Sequence, residues 1–154
     1  MRILVFSDTH GHIDRCIQMI NRIKDVDMVI HAGDTSSDAE DIAAIFPELD
    51  VRFVCGNCEM SRAPGEIEID AAGKKIFVTH GHYYNVKYES DYCTLVRHAR
   101  LKGAELAVFG HTHRPIYDNL GDISILNPGS ARYGGTCGVI EIEDGKLRCA
   151  LLDM

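Results

Sequence analysis

The chain has 154 residues, 45% hydrophobic and 25% charged, and a formal charge of −7. That length suits one domain spanning residues 1–154, and the composition is that of a folded chain rather than a disordered one. The acidic excess argues against coating nucleic acid by backbone neutralisation, so no stable nucleic-acid binding is expected, and no apolar run approaches the roughly 18 residues that span a bilayer.

Arg2 to Ser7 reads as a buried strand of β-branched and aromatic residues that stops at Asp8. Ile13, Ile17, Ile20 and Ile23 follow at helical spacing, which predicts an amphipathic helix over about residues 12–24. Asp27 to Ala32 is a second apolar strand, ended by Gly33-Asp34. Asp38 to Phe46 reads as a helix capped by Ser37 or Asp38 and stopped by Pro47. Val51 to Cys55 is a third strand, ending at Gly56-Asn57. This βαβαβ order implies a parallel sheet with helices packed on it.

The second half changes character. Glu66 to Asp70 and Lys75 to Thr79 read as hairpin partners around Ala71-Ala72-Gly73. Ser90 to Leu101 reads as a helix capped by Ser90 or Asp91, and Leu106 to Phe109 as a strand stopped by Gly110-His111. Ile116-Tyr117, Ile123 to Leu126, Gly138 to Ile142 and Lys146 to Leu152 are short strands, with Asp144-Gly145 the clearest hairpin turn. These segments predict a second, mixed or mostly antiparallel sheet packed on the first.

Five polar clusters end or follow the apolar runs: Asp8-Thr9-His10, Gly33-Asp34, Gly56-Asn57, His80-Gly81-His82 and Gly110-His111-Thr112-His113. Each alone is an ordinary strand-end turn. Those at the ends of the first three strands should lie along one sheet edge, where open α/β sheets place their ligands. If these segments are extended, residues i and i+2 point the same way, so Asp8 with His10 and His111 with His113 can each aim two donors into a shared space. Carboxylate and imidazole donors suit manganese, iron, zinc or nickel. His31, inside an apolar strand, reads as a hydrogen-bonded structural residue. His98 reads as a solvated helix residue, and His12 as a neighbour of the first cluster without a partner of its own. Cys55-Gly56-Asn57-Cys58 is a single C-x-x-C, too little for a four-thiolate zinc site. With no export signal in the first residues, the six cysteines read as reduced thiols in a cytoplasmic protein.

The series D-x-H, G-D, G-N, H-G-H and G-H-x-H resembles the calcineurin-like metallophosphoesterase superfamily, and the small size resembles its YfcE-type phosphodiesterase branch. The likeness runs from Asp8 to Ser130 and includes Asn127-Pro128-Gly129-Ser130. It implies a four-layer α/β/β/α sandwich of two packed mixed sheets flanked by helices. It implies two divalent metals, manganese foremost. Asp8, His10 and His113 would hold one metal; Asn57, His80 and His111 would hold the other, and Asp34 would bridge them. A hydroxide between the metals would attack the phosphorus of a small phosphodiester in line with the leaving oxygen. Asn57 and His82 are candidate substrate contacts. Many members of the family carry a proton-donating histidine where this chain has Cys58, so Cys58 and His82 become the candidate acids, and esters with good leaving groups should react fastest. Tyr83, Tyr84, Tyr88, Arg132 and Tyr133 either pack or touch substrate. Small relatives commonly pair, so a homo-oligomer is compatible with the reading. The alternative function is a non-catalytic protein-binding scaffold of the same fold, disfavoured because all seven ligand positions carry competent donors.

Overall fold

Arg2–Phe6 forms strand β1, and its neighbours explain its unbroken apolar run. In the computed structural model, which describes residues 1–154, Ile3 and Val5 face a core shared by two sheets. Leu4 and Phe6 face helices on the other side. A strand covered on both faces has no polar register, and each fully buried side chain of this kind contributes about 1.5–3 kcal/mol.

Helix α1 (Asp14–Arg22) buries Cys16, Met19 and Ile20 against that outer face. Strand β2 (Met28–His31) pairs parallel with β1. Helix α2 (Ser36–Ile45) follows, then β3 (Asp50–Phe53), parallel to β2. A second sheet begins with β4 (Glu66–Ala71) and β5 (Lys74–Thr79), an antiparallel hairpin. After a 3₁₀ turn at His82–Tyr84 come helix α3 (Cys93–Leu101) and strands β6 (Leu106–Val108), β7 (Ile116–Asn119) and β8 (Ser124–Asn127). The chain ends with β9 (Thr136–Glu143) and β10 (Lys146–Asp153).

The strand orders are β10-β9-β1-β2-β3 and β4-β5-β6-β8-β7. Ile3, Val5, Ile30 and Ile140 of the first sheet meet Ile76, Val78, Leu106 and Leu126 of the second in one apolar cluster. Helix α3 covers the far face of the second sheet through Leu95, Val96 and Ala99, against Phe77, Ala107 and Ile125. The result is the α/β/β/α sandwich with two mixed sheets. No helix is long and apolar enough to cross a membrane.

Three local expectations need correction. The β9-β10 hairpin joins the first sheet, antiparallel to β1, rather than the second. Helix α2 starts at Ser36 with Thr35 as its N-cap, and the Thr35 side chain makes no capping hydrogen bond. Asp38 is instead buried and accepts the Gly11 amide at 2.7 Å, while Glu59 accepts the Ser36 amide at 2.8 Å. Helix α3 starts at Cys93, later than expected. Glu89 accepts the Thr94 amide at 2.8 Å, so a residue outside the expected pair serves the helix start, beside Asp91 at Cys93.

Candidate metal centre

Strands β1, β2, β3, β5 and β6 all point their carboxyl ends at one edge, which brings the five polar clusters together. They do so through tight turns and not through extended alternation. Asp8, His10, Asp34, His111 and His113 all have positive φ, from 44° to 66°. The i, i+2 pairs therefore converge because the backbone is left-handed at both residues. That region is costly for side chains other than glycine, asparagine and aspartate, and tends to occur where function needs a particular aim.

Donor atoms of Asp8, His10 and His113 lie within 4.8 Å of one another, and so do those of Asp8, Asp34 and His80. A further set of the same span joins His10, Asp34 and Cys58. Asn57 Oδ1 is 3.2 Å from His80 Nε2, and the His80 and His111 rings are 5.0 Å apart. His111 completes no such three-donor set. The structure thus groups six of the seven expected donors closely around Asp34 and Asp8 and places His111 beside His80.

These contacts fit a pair of cations. His80 Nδ1 donates to the Ala32 carbonyl at 2.8 Å, which turns Nε2 towards the site. Nε2 lies 3.3 Å from Asp34 Oδ2 and 3.2 Å from Asn57 Oδ1, two acceptors, and against the effect of burial Asp34 and Asp8 raise the His80 pKa, which favours a proton there when no cation is bound. Such a meeting requires a proton or a cation between them. Asp8 Oδ1 is 3.0 Å from His113 Nε2 yet makes no hydrogen bond, and buried His10 Nε2 has no partner either. Unpaired buried polar atoms are rare and costly unless something else binds them.

The electrostatics separate the two carboxylates. Burial raises the Asp8 carboxyl above its ordinary value despite His80, Ser7 and His113 nearby. Burial also acts upward on Asp34, but His80 and the Cys58 backbone and thiol hold it well below the usual carboxylate range. Burial, reinforced by His80, lowers His111 to about 4. His111 is therefore neutral near pH 7 and able to offer a lone pair.

Glycines and second carboxylates set this geometry. A Cβ on Gly56 would overlap the Asp34 carboxylate, and one on Gly110 would overlap the Ser7 hydroxyl. Ser7 Oγ donates to Asp8 Oδ2 at 2.6 Å, and the His111 amide donates to the same oxygen at 3.1 Å. Asn127 Nδ2 donates to the Gly110 carbonyl at 2.8 Å, and Ser130 Oγ to the Asp8 carbonyl at 2.9 Å. Glu59 accepts from the Gly56 amide at 2.8 Å as well as from Ser36, so one carboxylate ties the Asn57 loop to the helix after Asp34. The sequence reading missed Ser7 and Glu59 and gave Asp38 only as a helix cap. The only available signal was their adjacency to Asp8, to the α2 start and to Cys58.

The remaining candidates divide. Cys58 is an exposed thiol whose amide donates to Asp34 Oδ1 at 3.0 Å; proximity to Asp34 raises its pKa, so it keeps its proton. His82 lies 5.5 Å from His80 and 6.1 Å from His111 between ring centroids, with a buried, unpartnered Nδ1. Tyr83 packs on His82 at 3.8 Å, Tyr133 stacks on His113 at 5.6 Å, and Tyr84 is buried and donates to Glu66. Tyr88 is exposed. Arg132 donates to the His10 carbonyl at 3.3 Å and lies over the Tyr133 ring. His12 is exposed and turns to the His10 carbonyl. His31 is fully buried: the Gly33 amide donates to its Nδ1 and its Nε2–H donates to Thr9 Oγ1 at 2.9 Å. His98 differs from its solvated reading, since it packs on Phe77 and Tyr84 with Nε2 3.5 Å from Glu66.

Residues 1–145 match the family model for the calcineurin-like phosphoesterase superfamily domain. A Bacillus subtilis protein described as a probable metallophosphoesterase is 31% identical, over 86% of this chain and 76% of its own. A Methanocaldococcus jannaschii phosphodiesterase is 26% identical over 99% of this chain and 100% of its own. The crystal structure of a predicted phosphoesterase from Streptococcus pneumoniae superposes with a TM-score of 0.81 at 27% identity, covering 99% of this chain and 88% of that one.

Proposed function

The chain belongs to the calcineurin-like phosphoesterase superfamily, and we propose that it is a metal-dependent phosphodiesterase with a binuclear centre. The observation that carries the reading is the pair of buried ligand atoms without hydrogen bonds, Asp8 Oδ1 and His10 Nε2, beside a His80 Nε2 that faces only acceptors. Asp8, His10 and His113 would hold one divalent ion and Asn57, His80 and His111 the other, with Asp34 between. When bound, the ions would supply hydroxide near neutral pH for in-line attack and would screen the phosphate oxygens. Manganese is the first candidate, with iron, zinc or nickel as alternatives.

The chain's own residues do the remaining work. Ser7 and the His111 amide both donate to Asp8 Oδ2, which leaves Oδ1 free to face the site. The Ala32 carbonyl accepts from His80 Nδ1 and so turns Nε2 towards the site. Asn57 and His82 border the space a phosphate would occupy. Cys58 holds a proton but is a weak donor, and His82, lowered by burial and by His80, is neutral. Esters with good leaving groups should therefore react fastest. The substrate class is a small phosphodiester, in a cytoplasmic setting. The scaffold alternative is weakened because every one of the seven donor positions is filled.

The test combines metal analysis of the purified protein with hydrolysis of bis(p-nitrophenyl) phosphate and p-nitrophenyl phosphate under added manganese. The diester should turn over faster, and Asp34→Asn should lower hydrolysis by more than about 100-fold, beyond the usual effect of removing a supporting contact. Wild-type hydrolysis in that variant removes the proposal.

A further inference from the structure

Beside the metal centre lies an open cleft of about 480 Å³, within the range of small-molecule sites. Lys87, Tyr88, Glu89, Tyr92, Thr112 and Arg114 line it. Thr112 joins it to the centre, because it stands between His111 and His113. Lys87 also lies close enough for its charge to act on His111 and on Cys58.

The polar groups of this cleft are unequally engaged. Arg2, Arg52, Lys74, Lys75, Arg100 and Lys102 each pair with a carboxylate elsewhere on the surface. Lys87 and Arg114 are among the cations that pair with no carboxylate, and they are the two that line this cleft. The cleft's one carboxylate, Glu89, accepts from both the amide and the hydroxyl of Thr94, at 2.8 and 2.5 Å. Thr112 Oγ1 accepts from Asn127 Nδ2 at 3.0 Å and from the Arg114 amide at 3.2 Å. A hydroxyl that accepts twice has only its own proton left to offer, and no group of the chain receives it. In a protein of net charge −7, one cleft thus presents two unpaired cations and a free hydroxyl donor against a single carboxylate, whose oxygens are turned to Thr94. That is the chemistry that recognises a phosphate.

We propose that the Lys87–Thr112–Arg114 cleft binds a second phosphate carried by one ester arm of the substrate. The inference rests on the phosphodiesterase reading and narrows it: the substrate is a phosphodiester bearing a further terminal phosphate. Tyr88, exposed on the cleft wall, offers a ring against which that arm can lie.

Two measurements test it. With bis(p-nitrophenyl) phosphate as reporter, thymidine bisphosphate should inhibit about tenfold more tightly than thymidine monophosphate, a modest gain for charge-assisted contacts. In K87Q/R114Q the two inhibitors should become equal. Equal inhibition in the wild-type protein, or an advantage that survives in the double variant, overturns the proposal. If the reporter is not hydrolysed, the phosphodiesterase reading fails, and binding decides the cleft separately. Isotope-labelled, metal-free full-length protein titrated with thymidine bisphosphate should show amide shifts at Lys87, Tyr88, Thr112 and Arg114 by NMR. These should be absent in the double variant. Shifts that miss this cleft overturn the inference.

Discussion

Asp8, His10, Asp34, His111 and His113 share a backbone conformation with Ala72 and Asp144, all with φ between 44° and 66°. The first five stand at the carboxyl edge of the strands. Ala72 and Asp144 sit in the β4-β5 and β9-β10 turns at the opposite edge, each followed by a glycine with positive φ. In the hairpins, two consecutive left-handed residues are what a tight two-residue turn demands, and the turn sits in water. At the other edge the same dihedral is imposed from outside. Ser130 and His111 hold the two ends of Asp8, and Gly33 and Cys58 bond to Asp8 and Asp34. One conformation is therefore local turn chemistry in one place and a tertiary constraint in the other. The difference shows in the glycines: a Cβ at Gly73 or Gly145 meets nothing within 4 Å, whereas one at Gly56 or Gly110 runs into the site.

The largest expected effect comes from adding one methyl group at each edge. Gly56→Ala drives a Cβ into the Asp34 carboxylate, with the Asp34 amide nitrogen 2.5 Å away. It should destabilise the protein by about 3 kcal/mol, at the upper range for overpacking, and abolish hydrolysis. Gly73→Ala adds only left-handed strain, about 1 kcal/mol, and should leave hydrolysis at the wild-type level. Urea unfolding of both variants measures the contrast. Equal losses would mean that the site edge is no more constrained than a surface turn.

Acid should also find the site edge first. His31 ties Thr9 of the first cluster to Gly33 of the second. A second proton on its ring would face the Gly33 N–H. Burial lowers its pKa from 6.5 to about 4, against the opposing charges of Asp38 and Glu59. Because the folded value is depressed, the unfolded chain binds the proton first as pH falls. Stability is therefore intact above about pH 6.5 and lost progressively down to about 4, by about 3 kcal/mol. In His31→Gln this part of the pH dependence should disappear from unfolding curves measured between pH 7 and 4. An unchanged slope in the variant would assign the acid sensitivity to other groups.

Sequence and structure agree where the signal is local, and part where it is not. The strand ends at Asp8, Asp34 and His111 were legible because apolar runs stop abruptly at polar residues there. The Asp144-Gly145 turn was legible from two residues. Which sheet its hairpin joins was not, since that depends on the open edge of β1, more than a hundred residues away. Asp38 looked like a helix cap because capping is the commonest local use of aspartate. A contact to Gly11, 27 residues earlier, takes its carboxylate instead. His98 looked solvated beside Arg97 and Arg100, and only the fold sets it against Phe77. The convergence of the donors was readable, but its cause was not: alternation along a strand was the expected device, and left-handed turns are the actual one.

The smallest expected effect bears on that cause. Ala72 is exposed, so its left-handed φ of 49° carries strain with no compensating contact from a side chain. Alanine in this region is disfavoured by about 1–2 kcal/mol. Glycine relieves the strain but makes the unfolded chain more flexible, which offsets about 0.4–1 kcal/mol of the gain. Asparagine tolerates the conformation without that flexibility and creates the Asn-Gly pair that two-residue hairpins prefer. Ala72→Asn should therefore raise stability by about 0.5–1 kcal/mol, more than Ala72→Gly, with hydrolysis unchanged because the turn lies at the edge opposite the site. Thermal or urea unfolding of the two variants gives the ranking. A neutral or destabilising Ala72→Asn would show that this dihedral carries little penalty here, and the cost assigned to His10, His111 and His113 would lose its basis with it.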